Sequence, residues 1–579
     1  MYDSLFAKNK NSLDMKCIIL LVIISFCCSF NLYSRWYDEK FQIHPDYGFF
    51  KVELDTLSGI PDVLKFVTRG TYKGIVGRNY PVFRLVENND SLTLKLRYKV
   101  DMCKYAWVVV FTYNSAQIVV KADTLNLPLK DEWTDISLSV YAKDAAFLNI
   151  NIQTEGESQA PYGQLYISNL QLLNGETLLK PDIDDVLVEQ IDSSNVISSL
   201  GMLDLPIMDK RILALGETSH GTETLSQKVF SLMQERIIKH NCRLVMMEFP
   251  MEYSLLVNRY VQGDEHFSIA DISEFIQTTS LQSSPFISFI QWLRDFNERN
   301  KDKVTLLGFD PKEHFPFDKR VCLCKLLCNL NVKHYPSVDT LCVKIMDTDM
   351  EGKYILPIFE KNEELKEMLL LPERTLIRYS IEGWGGDRSS IRDSLMAEVA
   401  ELSVDGFLSS GKTATFYAHF GHVGYRSSYI IYGFNYHSMG EILKNRYADA
   451  YACIALSAFQ GSAHFSNGGM SKILPLQKAP VSSIEYQLSR FRKDEVYFDM
   501  NASPHMQVCQ LRCTGSNYTD KQFLWQMPGA AMDGLILFRE AEPLYKPKNL
   551  LDSAQSTFFN RYAEMRQKVT TLKKSANKQ

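Results

Sequence analysis

The sequence predicts an α/β protein with a mainly parallel sheet flanked by helices, a helical insertion, and a β-sandwich domain in front. Two observations carry this expectation. After Gln190, short apolar runs such as "RILALGE", "RLVMMEFP" and "KVTLLGFD" alternate with helical patterns. That rhythm builds parallel strands with helices packed on them. Before Leu173 the texture is different. "SLTLKLRYKV", "AWVVVFTY", "AQIVVKA", "WTDISLSVYA", "AFLNINIQT" and "GQLYISNLQLL" are β-rich, and Asn, Asp and Gly clusters separate most of them. Short strands at near-regular spacing point to a sandwich.

The elements follow in order. Residues 1–34 read as a signal segment, 41–175 as a jelly-roll-like β-sandwich, 190–545 as the α/β domain, and 552–579 as a basic, helical tail. "LLNGETLLKPDID" reads as the linker between the two domains. In the α/β domain, Leu225, Val229, Met233 and Ile237 recur every four residues over Thr222–Asn241, a helix with one apolar stripe. "FISFIQWLRDFNERN" and "IRDSLMAEVAEL" are helical and lead into the strands "KVTLLGFD" and "TATFYAHFGH". Residues 311–390 break the strand–helix rhythm with helix-rich sequence and read as an inserted cap.

Composition narrows the function. The chain of 579 residues exceeds one domain. A net charge of −5 with both signs mixed leaves no basic footprint for nucleic acid. Lys16 precedes an apolar run, Cys17–Phe30. Its length fits a signal h-region of ~7–15 residues and falls short of the ~18 of a membrane span. The expectation is export to the periplasm or cell surface, with no stable span in the mature chain. Cleavage is placed at about Ser34. Lipid attachment at Cys27 is the alternative, because "ISFC" half resembles a lipoprotein box, although Phe26 is bulky for it. Cys322, Cys324 and Cys328 lack the paired CxxC of zinc sites and read as a buried helix face.

Sites in open α/β sheets form beyond the carboxyl ends of the strands. Four strands end in chemistry here. "RILALGE" delivers Glu217 and, just beyond it, His220. "RLVMMEF" delivers Glu248, "KVTLLGFD" delivers Asp310, and "TATFYAHFGH" delivers His419 and His422. Singly, each has a plain reading: Glu217 as a carboxylate near a helix N-terminus, the histidines as polar loop residues. Together they read as one site. A histidine beside carboxylates is a tunable general base. The expectation is therefore no cofactor, with a divalent metal at the His/Glu cluster as the alternative. No GxSxG nucleophile elbow occurs in the chain. "GFLSSGKT" matches a phosphate-loop pattern, but a helix precedes it and a strand follows, the reverse of what a phosphate site needs.

The quoted motifs "LALGETSHG", "MMEFPMEYSLLVNRYV", "QWLRDFNERNKDKVTLLGFD", "RDSLMAEV", "YAHFGHV" and "SMGEIL" occur in the order of the erythromycin esterase family, which the chain resembles from roughly Gln190 to Arg539. The resemblance implies a hydrolase that opens an ester, in the named members a macrolide lactone, as a response to antibiotic, without a covalent intermediate. By motif, His220 would activate water, Glu217 and Glu248 would position and polarise it, and His419 and His422 would hold or protonate the substrate oxygen. Lys228, one position closer to the motif, stands in for an arginine of the helix after GExxHG and, with Asp310, is assigned to the substrate. The small-molecule partner is thus an ester or lactone. The added β-domain suggests a glycan as second partner, by fold-level analogy. The competing functions are an exported carbohydrate or surface binding protein with altered activity, and a metal-dependent hydrolase of another bond.

Overall fold

The computed structural model describes residues 50–545, apart from 55–62, 70–75, 80–82, 86–89, 115–118, 157–161, 180–190, 192, 199–200, 271, 273–282, 312–315, 348–349, 385–391, 426–436, 468–469, 501–508, 517, 519–521 and 527, together with Gln567. The signal segment with Cys17, Cys27 and Ser34 and the rest of the tail lie outside the described residues. The described chain divides into two compact units, one up to Val186 and one from Leu187 onward.

The first unit is a sandwich of two antiparallel sheets. One runs in the order Phe50–Leu54, Leu64–Arg69, Tyr162–Asn174, Ser91–Asp101, Thr134–Tyr141, with Thr177–Leu178 added to Tyr162–Asn174. The other runs Val76–Asn79, Phe147–Gly156, Cys103–Tyr113, Val119–Asn126, with Phe83–Arg84 also on Phe147–Gly156. Alternation in Ser91–Asp101 sends Leu92, Leu94, Leu96, Tyr98 and Val100 into a shared core with Val108, Val110, Ile150, Ile152, Leu165 and Ile167. Phe83 and Tyr98 are core aromatics. Tyr105 is 49% exposed, because it lies on the outward register of its strand.

The second unit has a nine-stranded mixed sheet. Its parallel centre runs Gly534–Ala541, Tyr451–Asn467, Ile212–Glu217, Thr413–His419, Cys242–Pro250, Thr305–Asp310. Glu495–Asp499 and Val196–Ile197 extend one edge antiparallel, and Met470–Leu476 folds back on Tyr451–Asn467. Every residue of Ile212–Glu217 is buried, as a strand covered on both faces must be. The helix Glu223–Lys239 buries Leu225, Val229, Met233 and Ile237 against the sheet. Ser283 caps the helix Ser284–Arg299 by accepting from the Phe286 N–H.

The insertion is helical: Pro316–Leu330, Pro336–Met346, Gly352–Lys361, Glu364–Met368 and Leu371–Glu382. Cys322 and Cys324 are buried on the first of these, but Cys328 is exposed, so the three do not form one buried face. The "GFLSSGKT" segment is a helix-to-strand turn in which Gly411 takes φ +76° and Lys412 pairs with Asp302. Among the described residues, no helix is long and apolar enough to cross a membrane.

Each unit has its own apolar core, so a chain starting at Pro181 is expected to fold alone. Circular dichroism and thermal denaturation check this. A single cooperative transition is the expected outcome, and recovery only as aggregate contradicts it.

Candidate active site

Parallel register sets the site. Glu217 and His419 are Cα partners at the ends of adjacent strands, and Pro250 is paired with Asp310 two strands away. Side chains from four strand ends therefore converge beyond one edge of the sheet's centre, where such folds place their ligands.

Glu217 and His220 form the first pair. Glu217 Oε1 lies 2.6 Å from His220 Nδ1, and Glu217 Oε2 accepts from the Tyr417 hydroxyl at 2.7 Å. A carboxylate only accepts, so Nδ1 carries the proton and Nε2 keeps its lone pair. Burial disfavours the charged ring, but the Glu217 hydrogen bond and the charges of Glu217 and Glu248 outweigh it, and His220 titrates above its ordinary value. The loop is strapped in place. The His220 N–H donates to the Thr514 carbonyl at 3.3 Å. Gly221 sits at φ +76°, where any Cβ would collide with the His464 carbonyl. Only glycine fits both demands.

Arg392, the first residue of the helix Arg392–Phe407, forms the second cluster. Its Nε and Nη2 donate to the two carboxylate oxygens of Asp310 at 2.9 and 2.8 Å. Nη2 also donates to Glu248 Oε1 at 2.8 Å, and Nη1 lies 3.1 Å from His422 Nε2. Since guanidinium only donates, that last contact belongs to the neutral ring. When the ring is charged, Glu248 Oε1, 3.5 Å away, can take the Nε2–H. On the other side, His422 Nδ1 is held by Asp393 at 2.9 Å. Burial opposes the charged His422 ring, while Glu248 and Asp393 favour it and raise its pKa. Glu248 Oε2 accepts from the His419 backbone N–H at 2.8 Å. Burial opposes the Glu248 charge, but His422 and Arg392 hold its carboxyl far below the usual carboxylate range.

His419 differs from its neighbours. Its Nδ1 accepts from the Gly421 N–H at 3.2 Å, which puts the ring proton on Nε2. That nitrogen is buried and has no hydrogen-bond partner of good geometry among the described residues. Burial and the nearby His220 charge push its pKa down to about 3, against smaller pulls from Glu248 and the Thr514 backbone. The His419 and His220 rings lie 4.8 Å apart, centroid to centroid. A neutral donor thus stands beside a ring held as a strong base.

Of the residues singled out in the sequence, Glu217, His220, Glu248, Asp310, His419 and His422 come together. Lys228 does not. Its Nζ pairs with Glu495 Oε1 at 2.6 Å, on the antiparallel edge of the sheet. One helical position turns a side chain by about 100°, enough to aim it away from the strand ends. Asp310 meets Arg392 and is its anchor, not an open substrate contact. Three residues escaped the sequence reading: Arg392, Asp393 and Tyr417. Tyr417 was within reach, since two positions before His419 on a strand is the same face. Among the described residues, no group of three or more His, Cys, Asp or Glu is disposed as a metal-ligand set.

A family model described as erythromycin esterase matches residues 237–322 and 371–541, so the α/β unit is erythromycin esterase-like. The match takes in Glu248, Asp310, Arg392, His419 and His422. It begins after Glu217 and His220 and skips most of the helical insertion. No curated protein matches the chain. Among solved structures, a Bacillus cereus protein is 17% identical over 60% of this chain and 94% of its own, with a TM-score of 0.47. A mutant of erythromycin esterase EreC in its open conformation is 17% identical over 59% and 93%, at 0.43. A family 16 carbohydrate-binding module is 17% identical over 22% of this chain and 89% of its own, at 0.18.

Arg392→Ala leaves Glu248 and Asp310 facing each other without their cation. Removing one partner from a mostly buried ion pair costs roughly 3 kcal/mol. Urea denaturation should show that loss. Arg392→Lys should recover only part of it, because an ammonium cannot bridge both carboxylates as the fork does. Equal stability of all three proteins would contradict this account of the cluster.

Proposed function

We propose that the α/β unit hydrolyses a carboxylic ester or lactone by direct attack of water, with His220 as general base. The observation that carries this reading is the pairing of two unlike histidines. His220 is oriented through Nδ1 by Glu217, and His419 is neutral with a buried Nε2–H that meets only a weak pull from the Thr514 backbone. The match to the erythromycin esterase family model supports the reaction class.

The steps follow from the hydrogen bonds. His220 Nε2 takes a proton from water as the oxygen attacks the ester carbon. The resulting imidazolium is stabilised by Glu217, which Tyr417 holds from its other oxygen. The negative charge developing on the carbonyl oxygen is met by the His419 Nε2–H, a preorganised donor in a buried setting. Collapse breaks the bond to the alkoxide, which takes the proton from His220 and leaves as alcohol, with the acid as second product. Arg392 and Glu248 fix His422 and the His419 backbone. The site works without a metal in this reading, since Glu217, Glu248 and Asp310 are already turned onto protein donors. The β-domain would bring the enzyme to a glycan, and the apolar run Cys17–Phe30 would export it. A macrolide is one member of the substrate class.

A panel of simple esters, lactones and macrolides identifies an accepted substrate and tests the reading. On that substrate, His220→Ala should lower kcat by ~10²–10⁴-fold, while Lys228→Ala should stay near wild type. A His220→Ala protein with wild-type turnover sinks the mechanism. The base acts deprotonated and its pKa is raised, so kcat/KM should climb with pH and level off only above the ordinary 6.5 of histidine. A plateau already complete at about pH 6 would contradict the assignment of His220.

A further inference from the structure

We propose that Glu485 is a positioning residue for His220, acting through the two chain segments that grip it. Glu485 lies on the short helix Ile484–Ser489 and is fully buried. One of its oxygens, Oε1, joins both segments. It accepts from the Ser457 hydroxyl at 2.7 Å and from the Arg512 backbone N–H at 2.8 Å. The Ser457 hydroxyl in turn accepts from the Thr218 hydroxyl at 2.9 Å. Thr218 follows Glu217 directly. Arg512 ends the strand Cys509–Arg512, two residues before Thr514.

The two arms meet again at the histidine. The Thr514 N–H donates to the Thr218 carbonyl at 2.8 Å, and the Thr514 carbonyl accepts the His220 N–H. Glu485, Ser457, Thr218, Thr514 and Arg512 thus close a ring around the base of the catalytic loop, through hydrogen bonds and the backbone from Arg512 to Thr514. Packing alone does not call for a carboxylate here. Burying one is costly before compensation, and burial raises the Glu485 pKa even against the pull of Arg512. The Arg512 guanidinium, also fully buried, spends its own donors on the Ala458, Phe459 and Gln477 carbonyls and on Gln522 Oε1. What the carboxylate supplies, and an apolar side chain does not, is one acceptor serving two strands at once. That fixes the spacing between Glu217 and His220.

The inference rests on His220 being the base, so its test reads the His220 ring directly as well as activity. Ring titration of His220 by NMR and the kcat–KM split are measured for wild type, Glu485→Gln, Glu485→Met and Thr218→Val. Thr218→Val and Glu485→Met should lower kcat by roughly 10–100-fold, the scale of small misplacements, with KM little changed. They should also move the His220 pKa down, because a loosened Glu217 holds the imidazolium less. Glu485→Gln keeps an acceptor oxygen and should stay near wild type. If Glu485→Met does not fold, Thr218→Val decides. A folded Thr218→Val protein with wild-type kcat and an unmoved His220 pKa overturns the proposal. A moved pKa with no change in turnover upholds the positioning and instead removes His220 from the chemistry.

Discussion

One guanidinium holds the strand ends together. Arg392 reaches Asp310, Glu248 and His422, groups that arrive on two strands and a short helix. Without it, two carboxylates would face each other in a mostly buried place, where repulsion is poorly screened. With it, Glu248 stays ionised and spends its second oxygen on the His419 backbone. It thereby holds the backbone of His419, which is the N-cap of the short helix Phe420–Val423. The neutral state of His419 follows from the same arrangement, because its Nδ1 is committed to capping and its ring is buried. The cation therefore shapes a donor that it does not touch.

The second constraint is the parallel register. It sets Glu217 beside His419 and so brings a base and a donor within one ring spacing. The two histidines have the same chemistry and opposite tuning. One gains a carboxylate partner and is pulled up, the other loses water without gaining one and is pushed down. Separating the pKa values of like groups is how one site holds both an acceptor and a donor at a single pH.

Much of this could be read from the sequence, for a physical reason. A buried parallel strand is an unbroken apolar run, so the residue that ends it stands out. Glu217, Glu248, Asp310 and His419 were visible in that way. Arg392 was not, although it opens the motif "RDSLMAEV". It precedes its strand by a whole helix, and only tertiary packing brings that helix N-terminus to Asp310. Asp393 was hidden for the same reason. Lys228 misled because a family position was transferred across an offset of one helical residue. The ring through Glu485 joins residues 218, 457, 485 and 512, and no local pattern links positions so far apart. In the β-domain, strand alternation found the layers, but it did not say that Tyr105 faces outward while Tyr98 faces the core.

The central claim is that His220 and His419 differ in protonation because of their partners. It is tested most directly by ¹⁵N NMR of the histidine rings across a pH titration, with the eleven signals assigned by single substitutions. The account predicts that His419 remains a neutral Nε2–H ring until the pH falls to about 3, while His220 takes up its proton above 6.5. A His419 ring that titrates near 6.5, or a His220 ring that is still neutral at about pH 6, would contradict it.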